Sequence, residues 1–168
     1  MNRKINNNQG FTLLEIAVAV FIVSFGIVGV LGLINYNMQA ERVSKHQLVA
    51  SQLAQEGLEL VRNQRDNNWL DKITWDQDIT DASNNSFIVD YGGNFDDSVD
   101  SIDQDEARLY LNADGFYDHE GSTSTPYSRI ININVVDPDN LILESLVQWK
   151  DQKGTHRYKA ETELFNWR

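Results

Sequence analysis

The chain has 168 residues, no cysteine and a formal net charge of -11. That length suits one modest domain plus an extended element, and the absence of thiols excludes disulfide frameworks, thiolate metal sites and cysteine nucleophiles. The acidity is local. Between Asp66 and Glu120 there are 15 acidic residues, opposed only by Lys72 and Arg108, so direct nucleic-acid binding through this middle is disfavoured.

Residues 1–10, MNRKINNNQG, form a short polar leader made basic by Arg3 and Lys4. From Ile16 to Ile34 there is no charged residue. As a helix this run is roughly 28 Å long, close to the ~30 Å hydrocarbon core of a bilayer. The basic flank keeps the leader cytoplasmic and sends the C-terminal body outward. A secretory signal has a shorter apolar region and a small-x-small cleavage site. Here the exit from the run, Asn35 to Ala40, offers no such site, so cleavage after it is not expected.

Glu15 stands alone among apolar neighbours. A carboxylate costs about 2.5–3.5 kcal/mol at the centre of a span and less near an end. Taken singly, Glu15 reads as a charge at the membrane edge reaching water. The string G-FTLLE, from Gly10 to Glu15, together with the basic leader and the long apolar run, resembles the prepilin processing motif of the type IV pilin superfamily. The resemblance implies a leader 1–10 cut by a prepilin peptidase between Gly10 and Phe11, with methylation of the new Phe11 amine. It also implies assembly through Thr12 and Glu15 with other pilin or pseudopilin subunits and an inner-membrane platform. The physics is compatible with this: a freed α-amine is cationic at neutral pH, its ordinary pKa being about 8. It can pair with Glu15 of a neighbour, so that two costly charges satisfy each other.

The segment 11–35 is therefore the transmembrane or assembly helix. Its continuation, 36–66, is amphipathic: Ala50, Leu53, Ala54, Gly57, Leu58 and Val61 recur at three- and four-residue steps. No proline interrupts Thr12–Asn68, and the turn-forming Asp66-Asn67-Asn68 marks the expected helix end. Gly26, Gly29 and Gly32 fall at three-residue steps. They read either as close helix packing in lipid or as a soft segment able to bend, since each glycine weakens a helix by about 1 kcal/mol relative to alanine. Many pilins carry a helix-breaking proline near where Gly32 stands; this chain does not.

The globular part is expected over 67–168. Asp71–Asn85 reads as irregular, with Ile73, Trp75 and Ile79 as anchors. A short strand is expected at Phe87–Tyr91, stopped by Gly92-Gly93. An acidic loop follows over Asp96–Glu106, and then a hairpin in which Leu109–Leu111 and Phe116-Tyr117 flank Asn112–Gly115. A meander closes the chain. Arg129–Val136 alternates with Ile131, Ile133 and Val135 on one face, and Leu141, Leu143, Val147 and Trp149 share the next. Tyr158, Ala160, Thr162 and Leu164 form the third, with turns at Asp137–Asn140 and Asp151–Gly154. The helix stripe is the natural cover for that apolar face. The fold class is thus α+β, a long N-terminal helix on a small antiparallel sheet, and this layout is also similar to that of pilins. The ending is similar to the last strands of minor pilins and smaller type II secretion pseudopilins.

No catalytic constellation is present. His46, His119 and His156 lack metal-ligand spacing and read as surface histidines, and there is no phosphate loop, nucleophile elbow or HExxH. No cofactor is expected. Calcium is the one ion worth weighing, because Asp96, Asp97, Asp100, Asp103 and Asp105 supply oxygens of the type it takes. They lack EF-hand spacing, however, and acidic loops are usually just solvated. The reading is a non-enzymatic subunit, a minor pilin or pseudopilin of a pilus or related filament, membrane-inserted first and at the cell surface or in a pseudopilus after assembly. The alternative is a single-pass anchored binding or adhesion protein that never assembles.

Overall fold

The computed structural model describes residues 12–80, 85–151 and 154–166. One continuous helix, α1, runs Leu13–Asp71. Seven strands follow: β1 Ser86–Val89, β2 Phe95–Asp96, β3 Arg108–Leu111, β4 Tyr117–Asp118, β5 Thr123–Asp137, β6 Asn140–Asp151 and β7 Gly154–Phe165. A short 3-10 turn, Asp105–Ala107, precedes β3. The α+β layout with a long helix and an antiparallel sheet is the expected one. The chain divides into two compact units, 1–44 and 45–168.

Within the second unit β5 is the organising strand. It pairs with β6 along nearly its whole length, from Tyr127↔Trp149 to Asp137↔Asn140, and β6 in turn pairs with β7. On its other side β5 is shared. The β1–β2 hairpin takes its Ile131–Asn132 end, and the β3–β4 hairpin takes Thr123–Ser128. The two closing hairpins turn at the expected Asp137–Asn140 and Asp151–Gly154, although Gln152 and Lys153 lie outside the described residues.

The helix stripe covers the sheet as its spacing requires: Ala50, Leu53, Ala54, Gly57, Leu58 and Val61 are all buried. Leu58 and Val61 pack with Phe87, Val89, Ile131, Ile133, Leu141, Leu143 and Leu164. Ala50, Leu53 and Ala54 pack with Leu109, Tyr127, Val147 and Trp149. Trp75 and Ile79 anchor the segment after the helix, but Ile73 is 41% exposed and anchors nothing. Val135, expected on the apolar face, is half exposed near the end of its hairpin.

Three expectations need correction. The helix does not stop at Asp66–Asn68. Asn68 is buried, and its amide donates to the Trp75 and Gln77 carbonyls at 3.1 and 2.8 Å while accepting from Gln64 Nε2 at 3.0 Å. A turn former so occupied no longer competes for its own backbone. The helix ends instead beyond Asp71, with Lys72 at φ 60°. Ile73 N–H reaches the Asn68 carbonyl at 3.0 Å and Lys72 N–H the Trp69 carbonyl at 3.2 Å, which is the paired hydrogen bonding of a Schellman cap with lysine where glycine is usual. Second, β1 ends at Val89, and Gly92-Gly93 belong to the β1–β2 turn, closed by Gly93 N–H to the Asp90 carbonyl. Third, the sheet is apolar on both faces. On the side away from α1, Val99, Ile102 and Ala107 pack with Ile88 and Ile130, so the acidic loop is pinned by two apolar side chains rather than wholly solvated.

Helix and sheet approach closely at Gly57. A Cβ there would stand 2.9 Å from Ile131 Cδ1, 3.0 Å from Ser145 Oγ and 3.1 Å from Arg129 Cδ. Overpacking a tight core costs about 1–3 kcal/mol. We therefore expect Gly57→Ala to lower the thermal midpoint by several degrees in detergent-solubilised chain. Gly29→Ala, whose Cβ would meet nothing within 4 Å, should leave the midpoint unchanged or raise it.

Candidate functional site

The first turn of α1 is built by Thr12 and Glu15. Thr12 Oγ1 accepts from the Glu15 backbone N–H at 3.3 Å, and the Thr12 carbonyl accepts from Ile16 N–H at 3.2 Å. Thr12 is thus the N-cap, and T-x-x-E is the sequence form of a capping box. Glu15 lies in the first turn, where a carboxylate also meets the positive end of the helix dipole. The two residues expected to act in assembly therefore share one structural feature. Gly10 and Phe11 lie outside the described residues.

Every residue from Thr12 to Arg42 is exposed within the chain, including Leu13 at 88% and Phe25 at 76%. An all-apolar helix surface is not stable in water and calls for lipid or other helices. α1 is long and apolar enough to cross a membrane. Gly26, Gly29 and Gly32 are in regular helix, and none touches another element. Ser24, the one polar side chain from Ile16 to Ile34, returns its hydroxyl to the Val20 carbonyl at 2.7 Å.

Three of the candidate carboxylates of the acidic loop, Asp96, Asp103 and Asp105, have separate partners. Asp96 accepts from Ser98 N–H at 2.9 Å, and the Ser98 hydroxyl first, then this N–H, holds its pKa below the usual carboxylate value. Asp103 accepts from Gln148 Nε2 at 2.8 Å, and Asp105 pairs with Arg108 at 3.5 Å. The Asp100 backbone N–H donates to Gln104 Oε1. Asp97 borders a cleft of about 480 Å³ with Asp78, Gln64 and Asn94 beside Phe87 and Phe95. Among the described residues its lining has no histidine or hydroxyl. Among the described residues no three His, Asp or Glu side chains gather as metal ligands.

The histidines are not plain surface groups. His46 Nδ1 lies 2.8 Å from the Tyr127 hydroxyl, whose pKa burial and neighbouring Tyr117 push up to about 12. His156 stacks on Trp149 at 5.4 Å and meets Asp151 at 3.0 Å. His119 Nδ1 lies 3.0 Å from the Glu106 carbonyl, and its buried Nε2 has no partner. The neutral Nδ1–H tautomer fits both observations.

The largest polar feature of the body escapes sequence reasoning altogether. Arg129 is fully buried. Its Nη1 donates to the Leu53 carbonyl at 3.2 Å and to Glu56 Oε1 at 3.1 Å, and its Nη2 donates to the Val89 carbonyl at 3.0 Å. Burial pushes its pKa down while Glu56 pulls it back up. An arginine so placed remains a cation. The one available signal was its phase: Arg129 alternates with Tyr127, Ile131 and Ile133 on the buried face of β5.

Residues 5–31 match the family model described as the prokaryotic N-terminal methylation motif, the prepilin-type motif of type IV pilins and pseudopilins. No curated protein and no solved structure matches the chain. The motif and the apolar helix behind it fit a membrane-anchored N-terminus.

His119 predicts a pH response. Burial first, then repulsion by Arg129, lowers its pKa from 6.5 to about 4. The Glu106 and Arg108 backbone and Asp118 act in the opposite direction. Below its unfolded value the unfolded chain binds the extra proton, so stability is full above pH 6.5 and declines as pH falls toward 4. Asp96 and Glu144, both with lowered values, lose their contributions only from about pH 4.5 downward. Urea midpoints between pH 7 and 5 should therefore fall for the native chain and fall less for His119→Gln.

Proposed function

We propose that this chain is a minor pilin or pseudopilin: a structural subunit cut by a prepilin peptidase after Gly10, methylated on Phe11 and assembled into a filament with like-folded subunits. The observation that carries this reading is the match over residues 5–31. Beside it stand a capped first turn that bears Glu15 and a helix surface exposed and apolar from Leu13 to Ile34. In the membrane precursor, Arg3 and Lys4 hold the leader on the cytoplasmic side. Cutting removes both and creates an ammonium at Phe11, four residues before Glu15.

The chemistry of assembly follows from charge in an apolar setting. Neither the Phe11 ammonium nor the Glu15 carboxylate is well solvated among lipid tails or packed helices. When the Glu15 of one subunit meets the Phe11 amine of the next, each relieves the other, and the pair forms at one axial offset only. Apolar contacts supply attraction that is indifferent to register, and the ion pair supplies the register. The three glycines let neighbouring backbones approach along the same helix. The body, displayed outside the membrane, carries whatever contacts the filament makes. The work is structural, and no turnover is assigned to it.

N-terminal mass spectrometry of protein recovered from native membranes or sheared surface fibres tests the reading directly. The expected species begins at Phe11 and carries one methyl group on its amine. An intact Met1 leader, or a cut beyond Ile34, overturns it in favour of an anchored or secreted binding domain. Separately, Glu15→Ala should leave cleavage and body stability intact but reduce incorporation into fibres at least tenfold, as read by quantitative immunoblotting of the sheared fraction.

A further inference from the structure

β7 is the outer strand on its side of the sheet, and among the described residues it pairs with β6 alone. It is long, from Gly154 to Phe165, contains no proline and runs against β6 without a register shift. Every second backbone N–H and C=O of such a strand faces outward unpaired, a template that natural proteins usually blunt. The opposite margin of the sheet is unlike it. There the outer strands β2 and β4 are two residues each, too short to match a twelve-residue edge. Within this fold, the one strand of matching length and openness is β7 of another copy.

The outward-facing side chains of β7 carry a sign pattern. Arg157, Lys159, Glu161 and Glu163 occupy alternate positions and are all exposed. The first two are cationic and the last two anionic, so the pattern is antisymmetric about Ala160. In a parallel in-register pairing each charge would face its own kind, which is repulsive. In an antiparallel pairing centred on Ala160, Arg157 faces Glu163 and Lys159 faces Glu161, and the two-fold axis repeats both pairs. A slip of two residues either way puts Lys159 opposite Lys159 or Glu161 opposite Glu161. The charges thus favour one orientation and one register. Lysine on an edge strand commonly serves to repel neighbours; here it does so only against parallel stacking. Lys159 already reaches Glu144 at 2.9 Å and Glu161 at 3.5 Å within its own chain. It remains half exposed and able to share a second carboxylate.

We propose that two copies of this chain join edge to edge through β7, antiparallel and centred on Ala160, continuing the sheet across a two-fold axis. Such a contact is isologous and closes after two chains. It is therefore distinct from helix packing in a growing filament and does not depend on the function proposed above.

The absence of native cysteine makes the register directly measurable. Full-length chain in detergent micelles would be oxidised mildly as single-cysteine variants. Ala160→Cys places two thiols opposite each other, with Cα atoms about 4.5–5.5 Å apart, within disulfide reach. Arg157→Cys separates them by six residues along the strands, about 20 Å. The expected result is a covalent dimer from Ala160→Cys at no less than ten times the yield from Arg157→Cys. Adding Lys159→Glu should lower that yield, and the further change Glu161→Lys should restore it. Because Ala160 is half-buried, an independent check uses exposed positions only. A mixture of Lys159→Cys and Glu161→Cys chains should give heterodimer in excess of either homodimer. Equal yields at 157 and 160 would mean parallel stacking or aggregation and would overturn the proposal. So would failure of the mixed chains to cross-link, or failure of the charge reversal to restore dimer.

Discussion

The Arg129 guanidinium lies wholly buried between α1 and the sheet, and acceptors from separate elements must reach it at once. Taking a cation out of water costs several kcal/mol even after relaxation, and both terminal nitrogens are met by acceptors while the buried Nε–H is not. Leu53 and Glu56 come from the helix and Val89 from the end of β1. That geometry holds only if the helix lies close over β5, and it lies close because residue 57 has no side chain. A Cβ at residue 57 would stand 3.0 Å from Ser145 Oγ and 3.1 Å from Arg129 Cδ. A bulkier residue at 57 would lift α1 and lengthen the bonds to Leu53 and Glu56 together. The helix position, the seam of the sheet and the buried charge are therefore one constraint seen from three sides.

The seam explains why an arginine is useful there. β5 passes from pairing with β1 to pairing with β3 between Ile131 and Ser128. At such a hand-over a ladder has carbonyls without strand partners, and a buried carbonyl without a donor costs about 1–3 kcal/mol. Arg129 stands at the gap and supplies a donor to Val89. On the other face of the same region, Ile88 and Ile130 are covered by Val99 and Ile102, which fastens the acidic segment to the sheet. The carboxylates of that segment then point to local partners instead of toward one another. Among the described residues of that stretch, Asp96, Asp103 and Asp105 are each hydrogen-bonded or ion-paired in their own place, and no three acidic or histidine side chains gather.

What was legible in the sequence follows the same division. Periodicity identified the helix stripe, because Ala50 to Val61 bury one face and the surrounding charges do not. Alternation identified β5, β6 and β7 with their turns, because Asp137–Asn140 and Asp151–Gly154 have the turn chemistry that sets hairpin register. Periodicity could not show that Gly57, Arg129 and Ser145 meet. Each sits in phase with buried neighbours on its own element, and nothing along the chain states which exceptions face each other. The helix end was misplaced because Asn68 is a turn former by local preference and a core hydrogen-bonding residue by tertiary context. The loop anchors Val99 and Ile102 were hidden in acidic surroundings, where two apolar residues three apart make no pattern. At the N-terminus the reverse holds. T-x-x-E, the basic leader and the uncharged run are local features, so the methylation motif and the membrane-length helix could be read without any tertiary contact.

The two parts of α1 are therefore subject to different physics. The body's described core clusters draw on no helix residue before Val49. Among the described residues, the hydrogen-bond partners of the body's buried Arg129 and Asn68 also lie within residues 45–168. The segment from Leu13 to Ile34 contributes no residue to those clusters, and its sequence answers to lipid and to other helices. Those demands are strict in a local way: a cap and a carboxylate in the first turn, then a span without charge. A core sets looser terms, since many combinations of apolar residues fill the same volume. A short N-terminal stretch is consequently recognisable on its own, whereas the body has to be understood from its packing. The buried Arg129 shows how particular that packing has become.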